Sequence, residues 1–240
     1  MNWQDDGIIL GARSFGENSA IADLMTREHG RHPGLIRGAK SKSMRGLLQP
    51  GNIVRADWRA RLDEHLGAYK LEFLKAISGP AMANRRQLAA LNALIAIAQA
   101  CLPERVVYTG VYDGMVVLLE QLEDQENWPQ LLVRWELGVL AELGFGLDLA
   151  KCTATGTLDD LIYVSPRTGR AVSAEAGAPY KDKLMTLPQF LLGSQAGRAS
   201  KDELAIGFQL TAHFLERHLL EPYNKKLPIA RARYVEQILN

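Results

Sequence analysis

Apolar and polar residues alternate along the first 80 residues of the chain, in short runs that turn residues separate. The strand-like runs cover residues 7–15, 20–28, 35–36, 52–62 and 68–77. Glycine, asparagine and proline interrupt the pattern about every ten residues, which is typical of consecutive β-strands. Five strands in so short a segment predict a small closed barrel of the OB type, because an immunoglobulin-like sandwich needs about 100 residues and seven strands.

The pattern changes after Gly79-Pro80 to the longer period of helices. Residues 87–100 are apolar nearly all round, which predicts a buried helix, and residues 106–122 predict a second helix. A third helix is expected between Pro129, which suits a first helical turn, and Gly144, which suits the position after the last turn.

The helical period is lost between residues 145 and 185, where one strand-like piece, residues 161–164, interrupts an irregular segment. Ser200 and Glu203 form a capping-box pattern that predicts a further helix ending before Pro222. The predicted fold class is therefore α+β, with an OB-type barrel at residues 1–79. A mostly helical domain with an irregular insertion at about residues 145–185 follows at residues 80–240.

The composition is that of an ordinary globular protein, with 47% hydrophobic and 23% charged residues and a net charge of +1 over 240 residues. Two cysteines, Cys101 and Cys152, make no disulfide framework, which predicts a cytoplasmic setting. The start of the sequence has no signal-peptide pattern, and no apolar stretch approaches the roughly 20 residues of a membrane span. We therefore expect no membrane association.

Positive charge is concentrated between residues 25 and 61, which hold nine lysines and arginines and two acids. The segment RGAKSKSMRG at residues 37–46 is expected to be a flexible basic loop. A cationic surface on an OB-type barrel is typical of single-strand binding, although a solvated surface is the alternative. The candidate DNA-binding residues are Arg31, Arg37, Lys40, Lys42, Arg45, Arg55, Arg59 and Arg61.

Three of these arginines, Arg55, Arg59 and Arg61, have even separations in the fourth predicted strand. An unbroken strand would place them on one face, opposite Trp58, which is therefore expected in the core. The charge pattern indicates a polyanion without deciding between DNA and RNA.

Patterns of enzymes and metal sites are missing from the sequence. It contains no P-loop, dinucleotide-binding, nucleophile-elbow or zinc-protease motif. Cys152 has Thr155 where a C-x-x-C pair would need a second thiol, so we predict no metal and no cofactor. The adjacent acids Asp159-Asp160 leave a hydrolase with an unrecognised site as an alternative function.

Arg134 is a candidate carboxylate-binding residue on the third predicted helix. It shares a helical stripe with Gly138 and Ala141, whose small side chains could leave a shallow groove beside the guanidinium. The alternative is close helix packing, with Arg134 paired to Glu136 or Glu142.

Three segments together resemble the RecO family of bacterial recombination mediators: GIILGARSFGENSAIADLMTREHGR, LIRGAKS with LQPGN, and RWELGVLAELGFGLDLAKC. The resemblance implies an OB-fold followed by a helical domain with a zinc-ribbon-like insertion. Many members carry four cysteines there, whereas this chain has Cys152 with Thr155, Ser173 and Ala176 at the corresponding positions.

The resemblance also implies a function in DNA repair and homologous recombination, without enzymatic activity. It implies binding of single- and double-stranded DNA, annealing of complementary strands and help in loading recombinase onto strands coated by single-strand-binding protein. RecR and the acidic C-terminal tail of single-strand-binding protein are the implied protein partners. The arginine of the R-W-E-L segment, which matches Arg134, is the implied residue for that tail, and the implied location is the cytoplasm at the nucleoid. An RNA-binding OB module and a metal-dependent nuclease remain the alternatives.

Overall fold

The computed structural model describes residues 1–62, 64–193 and 198–240, and it has the α+β fold that the sequence predicts. The chain divides into two compact units, Met1–Glu123 and Asp124–Asn240. The predicted boundary at residue 79 follows the last strand of the first unit, which also includes the helices up to residue 123. That boundary stays a prediction.

The first unit contains a five-stranded barrel. Its strands are β1 (Asn2–Phe15), β2 (Ser19–Thr26), β3 (Gly30–Arg37), β4 (Ile53–Arg59) and β5 (Ala68–Lys75). They pair in the order β1-β2-β3-β5-β4, and β4 also pairs with β1, which closes the sheet. All pairings are antiparallel except that of β3 with β5, which meet through Leu35 and Ala68.

These pairings define two ends of the barrel. The start of β1 lies beside the end of β4 and beside the β2–β3 turn, and we call this the β1-start end. The β1–β2 turn lies at the opposite end, together with the end of β3 and the β3–β4 connection. A short helix, α1 (Lys42–Leu47), occupies that connection, so we call the second end the helix end.

Helix α1 lies inside the segment that the sequence predicts as a loop. Its first turn is capped by Ser41, whose side chain accepts a hydrogen bond from the backbone N–H of Met44. Met44, Leu47 and Leu48 then pack against the apolar interior of the barrel. Residues at these spacings share one helical face, so the loop prediction was wrong: glycines and cations surround a short amphipathic pattern.

The barrel core confirms most of the predicted apolar positions. Trp58 is fully buried, as expected, together with Ile9, Leu24, Val54 and Ala56. Phe73 is an exception. It lies on β5 but is 50% exposed where the pairing of β5 with β4 shifts by one residue.

Three further helices of the first unit lie among its described residues: α2 (Ser78–Met82), α3 (Arg85–Cys101) and α4 (Thr109–Glu120). Helix α3 is the predicted buried helix, and its apolar residues from Ala90 to Ala98 are largely inaccessible to solvent. The Gln99 side chain donates to the backbone oxygen of Leu10 in β1, which connects the end of α3 to the barrel.

The second unit contains the helices α5 (Trp128–Glu142), α6 (Ala174–Gly177), α7 (Lys201–Leu215) and α8 (Ile229–Leu239). The predicted capping box is present, since Ser200 and Glu203 exchange both hydrogen bonds. After Leu215 the helical path continues as a π-turn, Glu216–Leu220, and a 3₁₀ turn, Glu221–Tyr223. Helix α8 has no counterpart among the predicted elements.

The irregular segment of the second unit folds around a small sheet. Its strands are β6 (Leu161–Val164), β7 (Ala171–Ser173) and β8 (Met185–Thr186), in the order β7-β6-β8. Strand β6 is the strand predicted from the sequence. Nowhere in the described ranges is a helix both long and apolar enough to cross a membrane.

Candidate nucleic-acid interface

Four cations surround α1 at the helix end of the barrel. Arg37 ends β3, Lys40 follows it, and Lys42 and Arg45 lie on α1, and all four are exposed. We call these residues the helix-end basic cluster. No salt bridge between described residues involves any of the four. Their positive charge is therefore available to a ligand from solution.

The cations of β4 are arranged differently from the prediction. Arg55 and Arg59 are exposed on one face of the strand, but Asp57 lies between them on the same face. Arg61 does not join them because β4 ends at Arg59. The expectation of three arginines on one unbroken strand was therefore wrong.

Two of these arginines also have acidic neighbours. The Arg55 guanidinium forms a two-point ion pair with Asp6 on β1, with N–O distances of 2.8 and 3.2 Å. Hydrogen bonding to Asp6 raises the pKa of Arg55 above its ordinary value. Arg59 is 3.5 Å from Asp57 and 74% exposed, so solvent screens that pair strongly.

Arg31 is engaged by the protein itself. Its Nε lies 2.9 Å from Asp23, and its Nη1 donates to the backbone oxygens of Gln99 and Leu102 at 2.8 and 3.0 Å. Burial raises the pKa of the Asp23 carboxyl, and the hydrogen bond from Arg31 offsets part of that rise. These contacts connect β3 to the end of α3.

Arg134 is exposed on α5, and so are Gly138 and Ala141. Its guanidinium donates to the backbone oxygen of Phe190, which holds the side chain in one place. A Cβ atom added at Gly138 would meet no atom within 4 Å among the described residues, so this stripe is open to solvent. The alternative of close helix packing at this stripe was wrong.

Glu136, which was considered as a partner of Arg134, instead pairs with Arg231 of α8. Both side chains are buried, and Arg231 contacts the two carboxylate oxygens at 2.6 and 2.8 Å. Arg231 also donates to Thr211 Oγ1 and to the Phe208 oxygen on α7. No local sequence pattern identified this network, because its charged members are 95 residues apart.

Cys152, Thr155 and Ser173 come together in the folded insertion. The backbone N–H and the hydroxyl of Ser173 donate to Cys152 Sγ at 3.3 and 3.4 Å. Burial acts to raise the pKa of the Cys152 thiol, but the hydrogen bonds from Ser173 and Thr155 outweigh it and lower the pKa to about 6.

This donor set does not fit a structural zinc ion, which requires four nitrogen or sulfur ligands. One thiol beside two hydroxyls cannot supply them, and across residues 1–62, 64–193 and 198–240 no three His, Cys, Asp or Glu side chains are grouped to hold a metal. The Asp159-Asp160 pair is exposed just before β6, and Asp160 has a left-handed backbone.

Sequence comparisons agree with this architecture. The family described as "Recombination protein O N terminal" matches residues 1–77, and "Recombination protein O C terminal" matches residues 82–228. The chain is similar to the "DNA repair protein RecO" of Rhodospirillum centenum, with 48% identity over 99% of the chain and 94% of the relative.

The proteins of the same name from Rhodospirillum rubrum and Caulobacter vibrioides are 44% and 46% identical to the chain. Each alignment covers 99% of the chain, with 96% of the first relative and 98% of the second. Matches of this extent span both units and include the barrel, α5 and the insertion. The chain therefore belongs to the RecO family of DNA repair and recombination proteins.

Proposed function

We propose that this chain binds single- and double-stranded DNA through the helix-end basic cluster and anneals complementary strands. We further propose that it assists the loading of recombinase on DNA coated by single-strand-binding protein. The observation that carries the proposal is the group of four exposed cations, Arg37, Lys40, Lys42 and Arg45, which have no acidic partner among the described residues.

The physical mechanism is charge neutralisation. Two complementary strands repel each other through their phosphates, and cations that neutralise both strands let base pairing determine the outcome. Packing of Met44, Leu47 and Leu48 against the barrel holds α1 in place, so its cations keep a defined position. The process requires no covalent chemistry, and we propose that the protein is not an enzyme.

The remaining candidate cations have secondary roles in this proposal. Arg59 and Arg61 are exposed and are available to phosphates at the β1-start end of the barrel. Arg31 and Arg55 are paired with Asp23 and Asp6, so we assign them to the support of the barrel rather than to direct DNA contact.

The second unit supplies the proposed contacts with other proteins. We propose that Arg134 binds the acidic C-terminal tail of single-strand-binding protein. A guanidinium has five N–H donors, so donors remain for a carboxylate while one of them contacts Phe190. RecR is a further proposed partner, and the proposed location is the cytoplasm at the nucleoid.

Charge reversal of the helix-end basic cluster tests DNA binding. The variant Lys40→Glu/Lys42→Glu/Arg45→Glu should bind single-stranded DNA more than about tenfold more weakly at low salt. Each lost phosphate contact lowers the slope of log affinity against log salt by about 0.7 for single strands, so the slope should fall by about 2. Fluorescence anisotropy with labelled oligonucleotides at several salt concentrations measures both quantities.

The matched control is Lys181→Glu/Lys183→Glu/Lys201→Glu, which changes net charge equally through exposed lysines of the second unit. Equal losses in both variants would show a nonspecific effect of net charge and would contradict the proposed site. Competition with RNA of the same sequence tests the RNA-binding alternative, and incubation of labelled DNA with magnesium tests the nuclease alternative.

A further inference from the structure

Three aromatic rings stack in a column at the β1-start end of the barrel. Trp58 is fully buried at the inner end of the column. Trp3 stacks on it with ring centroids 5.5 Å apart and planes within 17°, and His29 stacks on Trp3 at 4.0 Å and 10°. The three nearly parallel rings therefore lead from the barrel core towards the surface.

Neighbouring elements fix the inner two rings. Trp3 and Trp58 are paired directly across β1 and β4. His32 contacts both rings edge-on, at 5.1 and 4.9 Å. Gly67 leaves room for the Trp58 ring, since a Cβ atom there would lie 2.4 Å from it. The inner rings are thus held without any ligand.

The outer ring is oriented by a carboxylate. Asp5 Oδ2 lies 3.1 Å from His29 Nδ1 and accepts the backbone N–H of Glu28 at 2.7 Å. Trp3 covers one face of the imidazole, while the side chain keeps 29% of its exposure. The His29 ring is therefore held in one orientation, and part of its surface remains exposed to solvent.

His29 lines a cavity of about 600 Å³, within the range of about 300–1,000 Å³ that is usual for small-molecule sites. Asn2, Trp3, Glu28, Glu64 and Arg105 also line this cavity. A planar aromatic ligand would continue the column by stacking on the uncovered part of His29, because every nucleobase offers such a face.

We propose that this cavity binds one nucleobase of single-stranded DNA, stacked on His29, an inference that rests on the proposed function. The carboxylates of Glu28 and Glu64 at the cavity repel phosphate but accept hydrogen bonds from N–H groups of a base, such as the ring N–H of thymine. Arg59 is paired across the strands with Asn2 of the cavity, and its exposed side chain lies where a flanking phosphate could be bound. The two carboxylates therefore favour a neutral base in the cavity, where Arg105 donates to the backbone oxygen of His65.

Two substitutions at one position separate stacking from hydrogen bonding. His29→Phe keeps an aromatic ring and loses the contact with Asp5, whereas His29→Asn removes the ring and keeps a side-chain N–H. Affinity is measured for oligo-dT and for an oligomer of the same length made of abasic nucleotides, which has the phosphates without the bases. Thermal unfolding of each variant verifies that it folds.

We expect the wild-type protein to bind oligo-dT about five- to tenfold more tightly than the abasic oligomer. His29→Phe should retain this ratio, and His29→Asn should reduce it towards one with little change for the abasic oligomer. The helix-end charge-reversal variant should weaken both oligomers and leave the ratio unchanged.

The outcomes distinguish the two proposals. If the wild-type protein binds neither oligomer, the proposed DNA-binding function is wrong. If it binds both oligomers equally, DNA binding stands and the base-stacking site is overturned. A wild-type ratio near one overturns the site even if a variant fails to fold, and a ratio that survives in folded His29→Asn also overturns the assignment.

Discussion

At the residue scale, the Glu136–Arg231 pair shows how strongly a buried charge depends on its partner. Glu136 is inaccessible to solvent, and Arg231 is 4% exposed. The pair and Thr211 join α5, α7 and α8 through hydrogen bonds that satisfy both charged groups. Taking two charges out of water is unfavourable, so the arrangement is stable only while both members are present.

Replacing Glu136 by Gln should therefore lower the free energy of unfolding by about 3–5 kcal/mol, because the buried Arg231 guanidinium loses its counter-charge. The double variant Glu136→Leu/Arg231→Met removes both charges and should lose much less. Urea denaturation followed by circular dichroism measures both effects. A double variant as unstable as the single one would contradict this explanation.

The Cys152 thiol makes stability depend on pH. Its pKa is lowered from an ordinary value of 9.0 to about 6, so the folded state releases the proton more readily than the unfolded chain. Its contribution to stability is complete above pH 9, decreases as the pH falls from 9 to about 6 and is lost below that.

We expect the difference in unfolding free energy between the wild-type protein and Cys152→Ser to increase from pH 6 to pH 9. Cys101 is present in both proteins, so its titration cancels in the comparison. Denaturant unfolding at pH 6, 7.5 and 9 measures the difference. A constant difference across this range would show that the folded thiol titrates like an ordinary cysteine.

At the element scale, the exposed stripe of α5 places a positively charged side chain beside two small residues. Arg134 supplies the charge, and Gly138 and Ala141 leave the adjacent surface low. Glycine inside a helix is less favourable than leucine by nearly 1 kcal/mol, so its presence at an exposed site requires a reason other than helix stability. A bound peptide is the reason that we propose.

Two substitutions test this stripe in different ways. Arg134→Ala should weaken binding of the acidic tail peptide of single-strand-binding protein about tenfold or more, because charge-assisted hydrogen bonds are lost. Gly138→Leu should also weaken it by filling the groove, while raising the free energy of unfolding by up to about 1 kcal/mol. Isothermal titration calorimetry measures binding, with the exposed Arg167→Ala as control. Unchanged peptide affinity in both variants would exclude this surface.

The elements themselves were predictable where one local signal dominated. Alternation identified the strands of the barrel, and the Ser200–Glu203 capping box identified the start of α7. Helix α1 was not predicted because the glycines and cations of residues 37–46 resemble a flexible loop. What stabilises it is the contact of Met44 and Leu47 with a core built from distant strands.

At the scale of the whole molecule, the net charge of +1 conceals an uneven distribution. Nine cations lie between residues 25 and 61, but Arg27, Arg31 and Arg55 pair with Asp113, Asp23 and Asp6. Among the described residues, the positive charge that remains without an acidic partner is concentrated around α1. A local field of this kind attracts a polyanion even though the molecule is nearly neutral.

The helix-end charge-reversal variant should therefore also anneal complementary strands more slowly. The effect should be clearest at low salt, because the Debye length of about 30 Å at 0.01 M leaves the charges largely unscreened. The control reversal in the second unit should keep the wild-type rate. Stopped-flow energy transfer between labelled complementary strands measures the rate. Equal annealing by both variants would contradict a mechanism based on the helix-end basic cluster.

The sequence by itself determined the class of fold and the order of the barrel strands along the chain. It also determined the burial of Trp58 and the basic character of residues 37–45. Each of these features depends on neighbouring residues or on a short repeat. Only the tertiary structure decided which cations are neutralised, how Trp3 and His29 extend the Trp58 ring, and where Glu136 finds its partner. The physical reason is distance along the chain: Arg55 meets Asp6 and Arg231 meets Glu136 across 49 and 95 residues, and only the folded chain brings such groups together.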